Sequence, residues 1–347
     1  MSTISDVARL ARVSTSTVSN VLNGRTDKMS HETLGRVQQA VAELDFRPNR
    51  TARQLKTGET QLFGLLVPSM GNPSYGLLAR EIERVSRECH GYRVIVANTY
   101  RDPQQERTFL DDMWSQGVRG VIVISSLADE AHFEEPVARG LVAVSYDSHA
   151  RRDRAPILDY VSADNVAGAS LAVQHLVAQG HRTIAFLTPS GWTFSRAEKR
   201  EGFITAAKEA GVKGVIIAGS TASHYADEEM AELGQSLAQP LVQHPDKPTA
   251  AVAINDMMAI GLMTGLREQG LELPRDMSII GMDGIPLGAY AAPPLTTIRL
   301  PLPDLARTMV DRIMLRLKEP DTVPDEFRFT STLLERDSVA PPPRPSR

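Results

Sequence analysis

The chain has 347 residues, 42% hydrophobic and 23% charged, with a formal net charge of −4. That is ordinary for a globular protein of two or three domains, and it excludes a chain that binds polyanions through overall charge. The one cysteine, Cys89, excludes an intrachain disulfide, and no run approaches the roughly 18 apolar residues that span a bilayer. Charge is unevenly spread: residues 1–60 carry nine Lys and Arg against six Asp and Glu, leaving the remainder at −7. A small basic head on an acidic body fits nucleic-acid binding by the head. The start, "MSTISDVARL", has no basic flank leading into an apolar run, so a cytoplasmic protein is expected.

Residues 1–45 read as three short helices. Ile4, Val7, Ala8 and Ala11 recur at helical spacing; Val18, Val21 and Leu22 mark a second helix; Ser30 caps a third bearing Leu34, Val37, Ala40, Val41 and Leu44. "FRPNRTARQLKTGET" follows, basic and too short to hold a helix alone. From residue 61, Val/Ile/Leu runs alternate with helical patterns: "LFGLLVP", "YRVIVANT", "RGVIVISS" and "LVAVSYD", then "RTIAFLTP", "GVIIAG", "TAAVAIN" and "MSIIGMD". Such runs are buried parallel strands, and two series of them predict two doubly wound α/β lobes. Ligands of such sheets bind beyond the carboxyl ends of the strands, so two facing lobes predict one cleft.

The stretch "TISDVARLARVSTSTVSNVLNG" puts hydroxyls where a helix gains little from them. Two helices joined by a tight turn read as a helix-turn-helix, whose second helix enters the major groove. Hydroxyls there serve bases or phosphates. Thr15, Ser16 and Asn20 are expected to face bases, Ser14, Thr17 and Ser19 to cap the helix or reach phosphate, and Thr3 and Asn23 to join the DNA face. On these residues alone, a capped helix with a solvated polar face is an equal reading.

With "AVAELDFRPNRTARQLKTGET", "SADNVAGASLAVQHLVAQGHRTIAFL", "PTAAVAINDMMAIGLMTGLREQGLELPRDMSIIGMDGI", "PPLTTIRLP" and "LLERDSV" in order, nearly the whole chain resembles the lactose-repressor/galactose-repressor (LacI/GalR) family of bacterial transcription regulators. The resemblance implies a helix-turn-helix head at 1–47, a hinge helix and linker at 48–60, and a two-lobe effector-binding and dimerisation region of periplasmic-binding-protein type at 61–340; the proline-rich ending "APPPRPSR" predicts a disordered tail at 341–347. The same resemblance implies a ligand-responsive repressor of a carbohydrate or related catabolic operon, with no cofactor, no metal and no membrane partner. The homodimer would bind a near-palindromic double-stranded operator. Leu55 matches the family's minor-groove wedge, supported by Asn49, Arg53 and Lys56.

The resemblance also places an effector, a sugar or sugar derivative, between the lobes. Asn72, Ser74, Tyr75, Asp147, Arg196, Lys199, Asn255 and Asp283 fall at or beyond predicted strand ends. Asn255 with Asp256 reads equally as a helix cap. Many members have Arg where this chain has Lys199, which lacks the planar fork for bidentate contacts. Many have two aromatics where this chain has Ser74 and Tyr75; Trp192 and Phe194 are expected to supply the stacking surface instead. The eight histidines form no catalytic or metal spacing, and no nucleophile elbow or phosphate loop is present, so an enzyme is not expected. A periplasmic sugar-binding protein would carry a signal peptide and lack the head.

Overall fold

In the computed structural model, which describes residues 2–22, 26, 29–46, 60–124, 127, 129–150, 155–220 and 229–343, the chain forms two units, Met1–Thr60 and Gln61–Arg347. The first begins with α1 (Ile4–Ala11), started by Thr3, whose hydroxyl accepts from the Asp6 amide while the Asp6 carboxylate accepts from the Thr3 amide. Arg12, with φ 53°, turns the chain into α2 (Thr15–Leu22). Ser14 Oγ accepts from the Thr17 amide at 3.1 Å and caps that helix. Ser30 caps α3 (His31–Glu43) in the same way. Val7, Ala8, Ala11, Val18, Val37 and Ala40 form the head's core, which Val21 also packs against.

The second unit continues through β1 (Leu62–Val67), α4 (Pro73–His90), β2 (Arg93–Asn98), α5 (Pro103–Ser115), β3 (Gly120–Val123), α6 (Glu134–Ala138), β4 (Val142–Tyr146), β5 (Asp159–Ala163), α7 (Asn165–Ala178), β6 (Thr183–Pro189), α8 (Phe194–Glu209) and β7 (Lys213–Gly219). It ends with α9 (Met230–Ser236), α10 (Ala238–Val242), β8 (Ala250–Ala253), α11 (Asp256–Glu268), β9 (Ser278–Asp283), β10 (Thr296–Arg299), α12 (Leu302–Lys318), β11 (Glu326–Phe329) and β12 (Thr332–Leu334). Two six-stranded sheets result, ordered β11-β5-β4-β3-β1-β2 and β12-β10-β9-β8-β6-β7. The pairings are parallel except that of β12 with β10. Each sheet reverses direction at its first strand, β1 or β6, so the crevice beside that strand opens at the carboxyl ends.

The sequence reading of two four-stranded series was incomplete. It missed β5, β10, β11 and β12, because none is a continuous apolar run. Sequence DYVSA opens on a charge, and EFRF alternates exposed with half-buried residues at a sheet edge. These strands make the lobes interleave. The chain crosses from the first lobe to the second after β5, returns through α12 and β11, and crosses again into β12. Leu305, Met309, Val310 and Ile313 of α12 belong to the first lobe's core, with Leu78 and Ile82 of α4. The second lobe has one core, built around Phe186, Phe203, Val252, Leu262 and Ile280. The region read as the hinge helix, 48–60, lies outside the described residues except for residue 60, and the tail is described only to residue 343.

Far from the crevice, the terminal segment is laced onto the second lobe through His181, which is fully buried. Its Nδ1 lies 2.8 Å from Thr249 Oγ1, and its Nε2 lies 3.1 Å from Ser278 Oγ and 3.0 Å from the Ala340 carbonyl. Burial pushes the His181 pKa below its ordinary 6.5, so the folded state holds the ring neutral. Its contribution is therefore complete above the unfolded value and is lost as pH falls through the folded one. We expect the urea midpoint to fall between pH 7.5 and pH 5.5, and His181→Asn to shrink that fall. An equal fall in both proteins would remove His181 from the account.

Candidate functional site

An open cleft with about 540 Å³ of empty space lies at the carboxyl ends of both sheets. Asn72 ends the loop after β1, and its side chain accepts from the Ser74 amide at 3.0 Å to start α4. That cap sets Ser74 and Tyr75 on the wall. Arg101 donates to the Tyr75 hydroxyl at 2.9 Å. Asp147 follows β4 with φ 62°, a left-handed conformation that Asp tolerates better than most residues. Asn165, the first residue of α7, donates to the Asp147 carboxylate at 2.8 Å.

The second lobe supplies the opposite wall. Thr193 caps α8, whose first turns carry Ser195, Arg196 and Lys199 to the cleft. Arg196 donates to the Gly191 carbonyl at 3.1 Å and Lys199 to the Ile254 carbonyl at 3.2 Å. Asn255 both caps α11, accepting from the Met258 amide at 2.8 Å, and lines the cleft, so the two readings of that residue are compatible. Asp256 turns away from the cleft; its carboxylate accepts from Thr297 Oγ1 and the Ile285 amide.

Asp283 closes β9 at the cleft floor, 8% exposed, and its Oδ2 is buried without a hydrogen-bond partner among the described residues. Burial pushes its pKa up to about 8; Lys199 pulls it down, while Asp256 and Asp147 push it up. Burial likewise lifts Asp256 to about 6 and holds the Tyr146 hydroxyl well above 10. The floor thus sets buried carboxyl groups against an ammonium, with one carboxyl oxygen that has no donor among the described residues.

The structure brings together Asn72, Ser74, Tyr75, Asp147, Arg196, Lys199, Asn255 and Asp283. It does not bring Trp192 or Phe194 into the cleft wall, contrary to expectation. Trp192 is 50% exposed and packs edge-on against Phe194, with centroids 4.9 Å apart. Phe194 in turn packs edge-on against His149 at 4.2 Å. Once Thr193 starts the helix, Ser195, Arg196 and Lys199 hold the face toward the cleft, while Phe194 is taken up by its contacts with Trp192 and His149. Sequence reasoning missed Arg101, Tyr146, Asn165, Ser195, Met230, Ile254 and Leu300 on the wall. Asn165 and Leu300 follow strands that were not read, and the positive φ of Arg101 (55°) has no sequence signature.

In the head, Ser14, Thr15, Ser16 and Asn20 are exposed along α2, with Thr17 and Ser19 half-buried. Ser14 Oγ contacts the Ser16 and Thr17 hydroxyls at 2.7 and 2.8 Å. Thr3 is exposed, and its hydroxyl is engaged by Asp6 at 2.7 Å. Asn23, Asn49, Arg53, Leu55 and Lys56 lie outside the described residues.

Residues 3–49 match the bacterial regulatory proteins of the lacI family, and residues 173–339 match a periplasmic binding protein-like domain. The ribose operon repressor of Escherichia coli (strain K12) is 33% identical over 347 residues, covering 98% of this chain and all of that protein. The chain belongs to the LacI family. It is a ligand-responsive, DNA-binding transcriptional repressor. The structure of the lac repressor dimer bound to operator and the anti-inducer ONPF superposes with a TM-score of 0.80 at 26% identity, covering 98% of this chain and 99% of that one. A LacI family regulator from Enterococcus faecium with bound ribose gives 0.70 at 27% identity, covering 81% and 99%. In this LacI-family chain the head and the cleft are therefore the two working surfaces. Among the described residues no helix is long and apolar enough to cross a membrane.

Proposed function

We propose that the cleft takes a sugar or sugar derivative of monosaccharide size and that the repressor controls a carbohydrate catabolic operon from the cytoplasm, as a regulator and not a catalyst. The observation that carries this is the unpartnered Asp283 oxygen on a wall shared with Lys199. A ligand hydroxyl satisfies both, accepting from the ammonium and donating to the Asp283 carboxyl, so that binding favours its ionised form. Asp147, Asn72, Asn165 and Asn255 offer further polar groups along the same cleft. A flat heteroaromatic ligand is less suited, because Trp192 and Phe194 lie off the wall and the Tyr75 hydroxyl is held by Arg101. The ribose named for the E. coli and E. faecium proteins supports a pentose.

Thr15, Ser16 and Asn20 read bases, and Ser14, Thr17, Ser19, Thr3 and Asn23 position the head on the backbone. A homodimer presents two heads to a near-palindromic operator, and Leu55, flanked by Asn49, Arg53 and Lys56, wedges its centre. Leu55→Ala is expected to weaken operator binding by about tenfold and reduce bending; unchanged affinity and bending would remove the wedge.

The test of the effector class is a thermal-shift screen of the full chain against monosaccharides with D-ribose first, disaccharides, sugar acids, sugar phosphates, polyols and purines. A true effector at 100 times its Kd adds about 2.7 kcal/mol. A flat response to every sugar from a well-folded protein overturns the reading.

A further inference from the structure

The lobes are joined by three crossings of the chain, and two of these run side by side. The Asp164 amide, just after β5, donates to the Phe329 carbonyl at the end of β11, at 2.8 Å. Glu198 of α8 reaches both crossings. Its Oε2 accepts from Asn165 Nδ2 at 3.0 Å, and its Oε1 lies 3.1 Å from an Arg328 guanidinium nitrogen on β11. The same Asn165 Nδ2 donates to Asp147 in the cleft. Glu198 itself does not line the cleft, but Arg196 and Lys199 of its helix do. Its side chain is 14% exposed, so water competes little for these contacts.

We propose that Glu198 is a positioning residue that couples the cleft to the interlobe hinge. One carboxylate fixes Asn165 against Asp147 on the cleft side and grips Arg328 on the first lobe's outermost strand. α8 is thereby tied to both hinge strands. Movement of Arg196 or Lys199 toward a ligand drags Glu198 along and changes the register of the paired crossings. A ligand shifts the lobes only by its differential affinity for their arrangements, and this carboxylate is where that difference is transmitted. Glu326, 2.9 Å from the Arg328 Nε, holds the guanidinium in place from its own strand.

The test is hydrogen exchange by mass spectrometry on the full, ligand-free chain, comparing wild type with Glu198→Gln, Arg328→Gln and the double variant. Glutamine keeps the shape of Glu198, so the helix stays intact. Either single variant is expected to speed exchange across 160–166, which holds the Asp164 amide, by about threefold, as befits loss of one partly exposed ion pair. The double variant should be no faster than the singles, and exchange across 250–253, in the second lobe's core, should not change. Unchanged exchange at 160–166, an equal rise in both segments, or a double variant equal to the product of the singles overturns the proposal.

The coupling itself is read by titrating D-ribose calorimetrically into wild type and Glu198→Gln, and this step rests on the proposed sugar effector. About fivefold weaker binding by the variant is expected, and equal binding overturns the coupling. If the wild type does not bind D-ribose, the ribose reading fails while the exchange result still decides the role of Glu198.

Discussion

Replacing Asp283 by asparagine is expected to raise the melting temperature at pH 7.5 and to abolish most effector binding. The two effects come from one cause. The carboxyl is buried at the end of β9, and its pKa is lifted to about 8 from an unfolded value of 3.8. A raised acid pKa means that the fold prefers the protonated form. The group's contribution is intact below pH 3.8 and is lost as pH climbs through 8. At neutral pH the native protein carries that penalty, and asparagine removes it while keeping the volume. Ligand binding draws out the ionised form, whose two oxygens both accept; asparagine has a single side-chain oxygen, and its NH2 places donors where a ligand hydroxyl must donate. A mispaired polar contact of this kind at a buried group costs about 3 kcal/mol, roughly a hundredfold in Kd. Differential scanning fluorimetry across pH 5–9 with and without the effector checks both halves. A variant less stable than wild type, with unchanged Kd, would separate Asp283 from the site. A gain in stability with a loss of binding is the trade-off expected of a binding group held under strain.

Asp159→Ala is expected to cost about 3–5 kcal/mol, the range for breaking a buried ion pair by removing one member. Asp159 opens β5 and is fully buried. Its Oδ1 accepts from Arg312 Nε at 2.7 Å and from the Asp325 amide at 3.0 Å, and its Oδ2 accepts from Arg316 Nη1 at 2.9 Å. Alanine strands two guanidinium groups that are only 14% and 10% exposed. It also releases α12 from the sheet and loosens the start of β11. Against a total stability of about 5–15 kcal/mol, this threatens folding of the first lobe. Urea denaturation measures it. Asp159→Asn, which keeps an acceptor, should lose less. A loss under about 1 kcal/mol for alanine would show that the cluster is solvated and energetically minor.

The sequence carried the head well, because the apolar spacing of Val7, Ala8, Ala11 and Val18 and the caps at Ser14 and Ser30 are local signals. It carried the eight core strands for the same reason. The wall residues Asn72, Asp147, Asn255 and Asp283 came from the family resemblance, and they lie at the ends of those strands. What local pattern could not carry was the outer part of each sheet. β11 and β5 lie beside each other through residues more than 150 apart, as in the pairing of Val161 with Phe327, and neither is apolar enough to announce burial. The error at Trp192 and Phe194 has a similar root. Which face the helix starting at Phe194 turns to the cleft depends on the capping residue, Thr193, and on packing against His149 of the other lobe. The alternative roles for Asn255 dissolved because a helix cap at a strand end is itself part of a cleft.

The interleaved path also orders events during synthesis. The first sheet opens at residue 62, yet its outer strand ends at Phe329, and α12, which completes its core, spans 302–318. A ribosome must therefore translate the second lobe through β10 before the first can close, and only then β12 and the terminal segment that finish the second. Most of the second lobe is thus made while the first waits with an open edge and an uncovered apolar face. Expressing 61–163 alone would strand that edge permanently, exposing Leu78 and Val161 to chaperones or to other copies of the chain.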